Sequence, residues 1–120
     1  MTQVARDKKN ILWFREVGNK DVGLVGGKNA SLGEMYNNLR RKGVRVPNGF
    51  AITAHAYRYF IQSAGIEGKI KSILKGLDTH NLKQLAEKGY RVRETILGAE
   101  MPKDLEEEIG QAYRKLSKEA

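Results

Sequence analysis

The run Val22-Gly-Leu-Val-Gly-Gly-Lys-Asn-Ala-Ser-Leu-Gly-Glu-Met35 sets a glycine pair and a lysine directly before the first turn of an amphipathic helix. Residue types in that order suit a phosphate. Gly26 and Gly27 carry no Cβ, so their backbone can enter the positive-φ region and come close to a ligand. The first N–H groups of the following helix lack intrahelical partners and lie at the positive end of its dipole; Lys28 adds a full cation there. The same residues also read as a tight strand-to-helix connection with a solvated lysine, and the pattern by itself leaves both readings open.

Two familiar phosphate motifs are excluded. A Walker loop needs a glycine five residues before the Gly of its Gly-Lys pair, where this chain has Val22, and Asn29 stands in place of the magnesium-binding Ser or Thr. The GxGxxG dinucleotide fingerprint finds no match among Gly18, Gly23, Gly26, Gly27 and Gly33.

The elements that must position the loop follow from periodicity. Ile11–Val17 is rich in β-branched and aromatic residues and ends at Gly18-Asn19, which predicts a strand and a turn before the loop at 21–28. Leu32, Met35, Tyr36 and Leu39 share one helical face, and Arg40-Arg41-Lys42-Gly43 supplies a cationic last turn and a terminal glycine, predicting a first helix over 29–42. Phe50–Thr53 reads as a second strand able to pair with the first, and Thr53 suits the cap of a helix bearing Ala56, Tyr57, Phe60, Ile61 and Ala64, closed by Gly65.

A short third helix carries Ile66, Ile70, Ile73, Leu74 and Leu77. Asp78 or Thr79 is placed to cap a fourth with Leu82, Leu85, Ala86, Val92 and Ile96, ended by Gly98. The last helix starts at Pro102, with acidic residues early, basic residues late, and Leu105, Ile109, Ala112 and Leu116 facing inward. The stripes of these last three helices read as core packing rather than chemistry, and Glu106-Glu107-Glu108 as a solvated face. The expected fold is α+β and helix-dominated: about five helices with a small two-stranded sheet.

The chain has 120 residues, 40% apolar, enough for one compact core, so residues 1–120 are expected to form a single domain. Without cysteine there is neither a disulfide framework nor a thiolate zinc site, and two histidines cannot build a metal site unaided. A reducing cytoplasm is the expected setting. The first ten residues are polar, and no stretch approaches the roughly 18 apolar residues of a membrane span. Net charge is +8; residues 1–60 hold 11 Lys/Arg against 4 Asp/Glu, while 61–120 hold 11 against 10. The excess surrounds the glycine loop and favours an anionic partner. Nucleic acid is the disfavoured candidate, because Arg40-Arg41-Lys42 and Arg45 are joined by few stacking groups and no known module.

Val25-Gly-Gly-Lys-Asn-Ala-Ser-Leu-Gly-Glu-Met35 is followed by Val46-Pro-Asn-Gly-Phe-Ala-Ile-Thr53, Ala56-Tyr57, Phe60, Ala99-Glu-Met-Pro-Lys-Asp-Leu-Glu-Glu-Glu-Ile109 and Ala112-Tyr113-Arg114. This ordered series resembles the phosphoenolpyruvate synthase (pyruvate, water dikinase) family, related to pyruvate phosphate dikinase, over nearly everything after residue 11. The resemblance implies the N-terminal part of an ATP-grasp nucleotide-binding region, with ATP in a cleft and Mg2+ on its phosphates. By that carry-over Lys28 contacts the ATP phosphates and Gly26 and Gly27 give the close-approach backbone. The full enzyme of the family is a phosphotransferase of gluconeogenic pyruvate metabolism. It passes phosphate from ATP through a histidine to pyruvate, giving phosphoenolpyruvate, AMP and phosphate.

The family's Val-Arg-Ser-Ser arginine, its magnesium-binding carboxylates and its Thr-x-Gly-Gly-x-Thr-Ser-His histidine do not occur here, and His55 and His80 match none of them. The resemblance therefore implies a fragment with no catalytic residue and no metal ligand of its own, inactive alone, with an exposed strand edge through which copies could associate. A stand-alone nucleotide-binding or partner-docking module is the alternative.

Overall fold

The computed structural model describes residues 5–119. Among them are two strands, β1 (Ile11–Trp13) and β2 (Phe50–Ile52), and six helices: α1 (Val22–Val25), α2 (Gly27–Arg41), α3 (Ala54–Ala64), α4 (Glu67–Leu74), α5 (Leu82–Leu97) and α6 (Lys103–Glu119). The helix-dominated α+β expectation holds. The chain divides into two compact units, one from the described residues up to Tyr59 and from Lys103 onward, the other Phe60–Pro102.

In the first unit β1 and β2 pair antiparallel, Ile11 opposite Ile52, Leu12 opposite Ala51 and Trp13 opposite Phe50. Bonds from Thr53 N to Asn10 O and from Phe14 N to Gly49 O, both 3.0 Å, extend the ladder at either end. Leu12 is fully buried and forms a core with Val17, Val25, Ala30 and Ala51. A leucine so buried contributes about 1.5–3 kcal/mol relative to an exposed one. Gly49 lies against the Phe14 ring, where a Cβ would come within 2.5 Å of Cε2, so no larger residue fits without displacing that ring.

The first strand is shorter than the predicted 11–17. Phe14–Glu16 turns into a 3-10 segment because the Glu16 carboxylate accepts the Trp13 N–H at 2.8 Å, an N-cap bond that draws the chain out of the sheet. Another 3-10 turn, Asn19–Asp21, leads to α1. The helix α2 packs across both turns. Its buried residues are Ala30, Gly33 and Tyr36, while Met35, expected on the inward face, is exposed. Small residues let this helix sit close: a Cβ on Gly33 would lie 2.8 Å from Val17 Cβ and still nearer to Val17 O. Thr53 caps α3 as expected, its Oγ1 accepting from Ala56 N at 3.2 Å. Leu105 and Ala112 of α6 are buried, and Tyr59 Oη donates to the Asp104 carboxylate at 2.8 Å.

In the second unit α4 packs on α5, and Ile73 is buried. The cap of α5 is Asn81, whose Oδ1 accepts from Gln84 N at 3.1 Å, rather than Asp78 or Thr79; Asp78 instead accepts from His80 N. The expected inward stripe of α5 is not a core. None of its residues is buried, Leu82 is 77% and Leu97 78% exposed, and Val92 and Ile96 are only half-buried, because α4 covers one side of the helix.

Candidate functional site

The approach to the glycine loop is fixed by a charge pair. Asp21, 4% exposed, receives Arg6 Nη1 at 3.2 Å and Nη2 at 2.9 Å, and also the Gly18 N–H at 2.9 Å. Arg6 reaches the Glu16 carbonyl as well. The Arg6 hydrogen bonds hold the Asp21 carboxyl below the ordinary carboxylate range, overcoming the opposing effect of burial, and the Gly18 N–H adds to them. The same bonds push the guanidinium of Arg6 further up.

A single turn, α1, follows Asp21 and stops at Gly26. Gly26 has φ +84° and ψ 164°, a conformation that L side chains rarely adopt. Its N–H donates to Val22 O at 2.8 Å, closing α1, and its carbonyl accepts from Ala30 N at 3.0 Å, opening α2. Helix α2 therefore begins two residues earlier than the predicted Asn29, with Gly27 and Lys28 in its first turn. Their N–H groups and that of Asn29 precede the first intrahelical bond and are unpartnered among the described residues.

Gly26, Gly27 and Lys28 are all exposed and lie together at the open end of α2. A Cβ on either glycine would meet nothing within 4 Å, so the space over the loop is clear. Lys28 makes no ion pair among the described residues. Asn29 turns away from that space, its Nδ2 donating to Val25 O at 2.9 Å. The loop lines neither of two larger hollows, of about 710 and 820 Å³, elsewhere in the first unit. The arrangement offers free amide hydrogens, a helix dipole and an exposed cation to an anion.

Sequence reasoning passed over three residues that hold this loop. Arg6 lies in a segment read only as polar. Asn37 Nδ2 donates to Phe14 O and Val17 O, each at 3.2 Å, and Glu34 accepts from Asn19 N at 3.1 Å; both fasten α2 to the turns before the loop. Their signal was a polar residue one turn or less from the apolar stripe of α2. His55 is half-buried in the first turn of α3, apart from the loop of Gly26, Gly27 and Lys28, and His80 is an exposed residue of the second unit.

Residues 22–120 match the family described as pyruvate phosphate dikinase, AMP/ATP-binding domain. The chain is 54% identical over 103 residues to phosphoenolpyruvate synthase of Synechocystis sp., covering 86% of this chain and 13% of that protein. It is 48% identical over 114 residues to the synthase of Aquifex aeolicus, covering 95% and 13%. Against the synthase of Escherichia coli identity is 44% over 107 residues, covering 89% and 14%. The chain thus spans only about an eighth of the length of these relatives. By the match over residues 22–120, the chain belongs to the pyruvate phosphate dikinase AMP/ATP-binding domain family.

Proposed function

We propose that this chain is the N-terminal ATP-binding segment of a phosphoenolpyruvate synthase, part of an ATP-grasp nucleotide-binding region, with Gly26, Gly27 and Lys28 holding the ATP phosphates. The observation that carries the reading is the open end of α2. A positive-φ glycine stops one helical turn and starts the next, leaving unpaired N–H groups beside an exposed, unpaired lysine. Its work is electrostatic: amide dipoles and one cation offset phosphate charge and orient the nucleotide.

Bound ATP would bring the phosphoryl group to be transferred; this chain's share is to grip and align it. No group of three or more His, Asp or Glu side chains that could hold a metal ion occurs among the described residues, and no step is routed through Mg2+. Phosphate transfer to a histidine and then to pyruvate belongs to the longer enzyme. No helix of the described residues is long and apolar enough to cross a membrane, and a cytoplasmic setting is part of the proposal. Self-association of the isolated chain is also part of it, supported by β1 and β2 pairing on one side only among the described residues.

Calorimetric titration of the 120-residue chain with ATP tests the reading. Saturable binding that collapses in Lys28→Ala supports it, and binding indifferent to that substitution overturns it. Formation of phosphoenolpyruvate from ATP and pyruvate by this chain alone would contradict its being a non-catalytic segment.

A further inference from the structure

In an unbroken α-helix the N–H of residue 29 would donate to the carbonyl of residue 25. The turn at Gly26, with φ +84° and ψ 164°, interrupts that ladder between α1 and α2. The Val25 carbonyl is taken instead by the Asn29 side chain, whose Nδ2 donates to it at 2.9 Å. The side chain of residue 29 thus occupies the acceptor that its own backbone N–H would otherwise use. That N–H stays unpartnered among the described residues, together with those of Gly27 and Lys28.

The same bond braces the turn. Val25 is 7% exposed and Ala30 1%, and both pack in the core with Leu12, Val17 and Ala51. Between these two anchors Gly26 and Gly27 have no side chain to hold them, and Lys28 is exposed without an ion pair among the described residues. Gly26 N bonds to Val22 O at 2.8 Å and Ala30 N to Gly26 O at 3.0 Å; the Asn29 amide adds a third tie, directly across the turn.

We propose that Asn29 is a positioning residue for the phosphate loop: its amide holds the Gly26 turn and keeps the N–H groups of residues 27–29 open to the ATP phosphates. This role rests on the phosphate reading of Gly26, Gly27 and Lys28. The position after the lysine, where a Walker loop carries a hydroxyl for magnesium, serves here as a brace whose donor faces the protein. Without the brace part of the population leaves the binding-competent turn, and apparent affinity falls by that fraction.

Asn29→Ala and Asn29→Leu both remove the donor, and only the second keeps the volume. Calorimetric titration with ATP and hydrogen exchange at the amides of Gly26 and Ala30 are followed on the 120-residue chain and on both variants. Melting curves show that each is folded, and either variant carries the test if the other unfolds early. ATP affinity is expected to fall about two- to tenfold in both, with exchange at Gly26 and Ala30 faster by a similar factor. Unchanged exchange at these two amides, unchanged ATP affinity, or an Asn29→Leu protein that matches the parent while Asn29→Ala does not would each overturn the role. A parent chain that binds no ATP, or binds it equally well after Lys28→Ala, overturns the phosphate reading and this role with it. Binding that depends on Lys28 but not on Asn29 overturns this role alone.

Discussion

Arg6 and Asp21, 15 positions apart, meet through two hydrogen bonds of 3.2 and 2.9 Å, and the carboxylate they share is almost wholly removed from water. The pair ties the start of the chain to the residue that opens α1.

This tie makes stability depend on acid. The folded Asp21 pKa lies below its unfolded value of about 3.9, so its contribution is fully present above that value and is lost as pH falls through the folded pKa. Asp21→Asn is expected to cost about 1–3 kcal/mol at neutral pH and to flatten the acid limb of a plot of urea-unfolding free energy against pH. An unchanged acid limb in the variant would show that the pair carries no such linkage.

Two glycine substitutions should move in opposite directions. Gly33→Ala forces a methyl into Val17, and overpacking of about 1–3 kcal/mol should outweigh the gain of up to about 1 kcal/mol in helix propensity. Gly23→Ala, on the exposed face of α1 with open space around its Cβ, is expected to be neutral or stabilising by less than about 1 kcal/mol. Thermal melts of the two variants side by side decide the matter.

At the loop itself, stability and binding should separate. Lys28→Ala removes an exposed, unpaired side chain, so its melting is expected to stay within about 0.5 kcal/mol of the parent while ATP affinity falls about tenfold or more. Gly26→Ala must place a Cβ at φ +84° and is expected to lose about 1–2 kcal/mol of stability as well as binding. Calorimetry and melting on both proteins test the contrast.

The amide of Asn37 bridges α2 to Phe14 O and Val17 O. Asn37→Leu leaves two carbonyls without that donor, and a loss of about 1–3 kcal/mol is expected. Faster amide exchange confined to 14–21 and the first turns of α2 would identify the bridge as the cause; uniform loosening would not.

Element order and type were largely legible because apolar spacing is a local property: both strands and the five longer helices lie where periodicity placed them. Boundaries failed where a side chain captured a backbone group. Glu16 took the Trp13 N–H and ended β1 early, and Asn81 rather than Asp78 or Thr79 capped α5. The inward face of α2 was legible in part: Tyr36 is buried and Leu32 and Leu39 half-buried as placed, Met35 is exposed, and Ala30 and Gly33 bury through smallness, which a search for large apolar residues passes over. The stripe on α5 has the right period, but period alone does not say that a partner surface lies close by. At the site, Gly26, Gly27 and Lys28 were visible as a string of types, whereas Arg6 was not, since its partner is distant in sequence.

The close seating of α2 at Gly33 reaches further than local packing. Position 33 is six residues from the helix start, a lever of about 9 Å at 1.5 Å per residue. Thickening the fulcrum would swing the amide tips at Gly27 and Lys28 without touching them, so the aim of the loop is set by a contact almost two turns away from it.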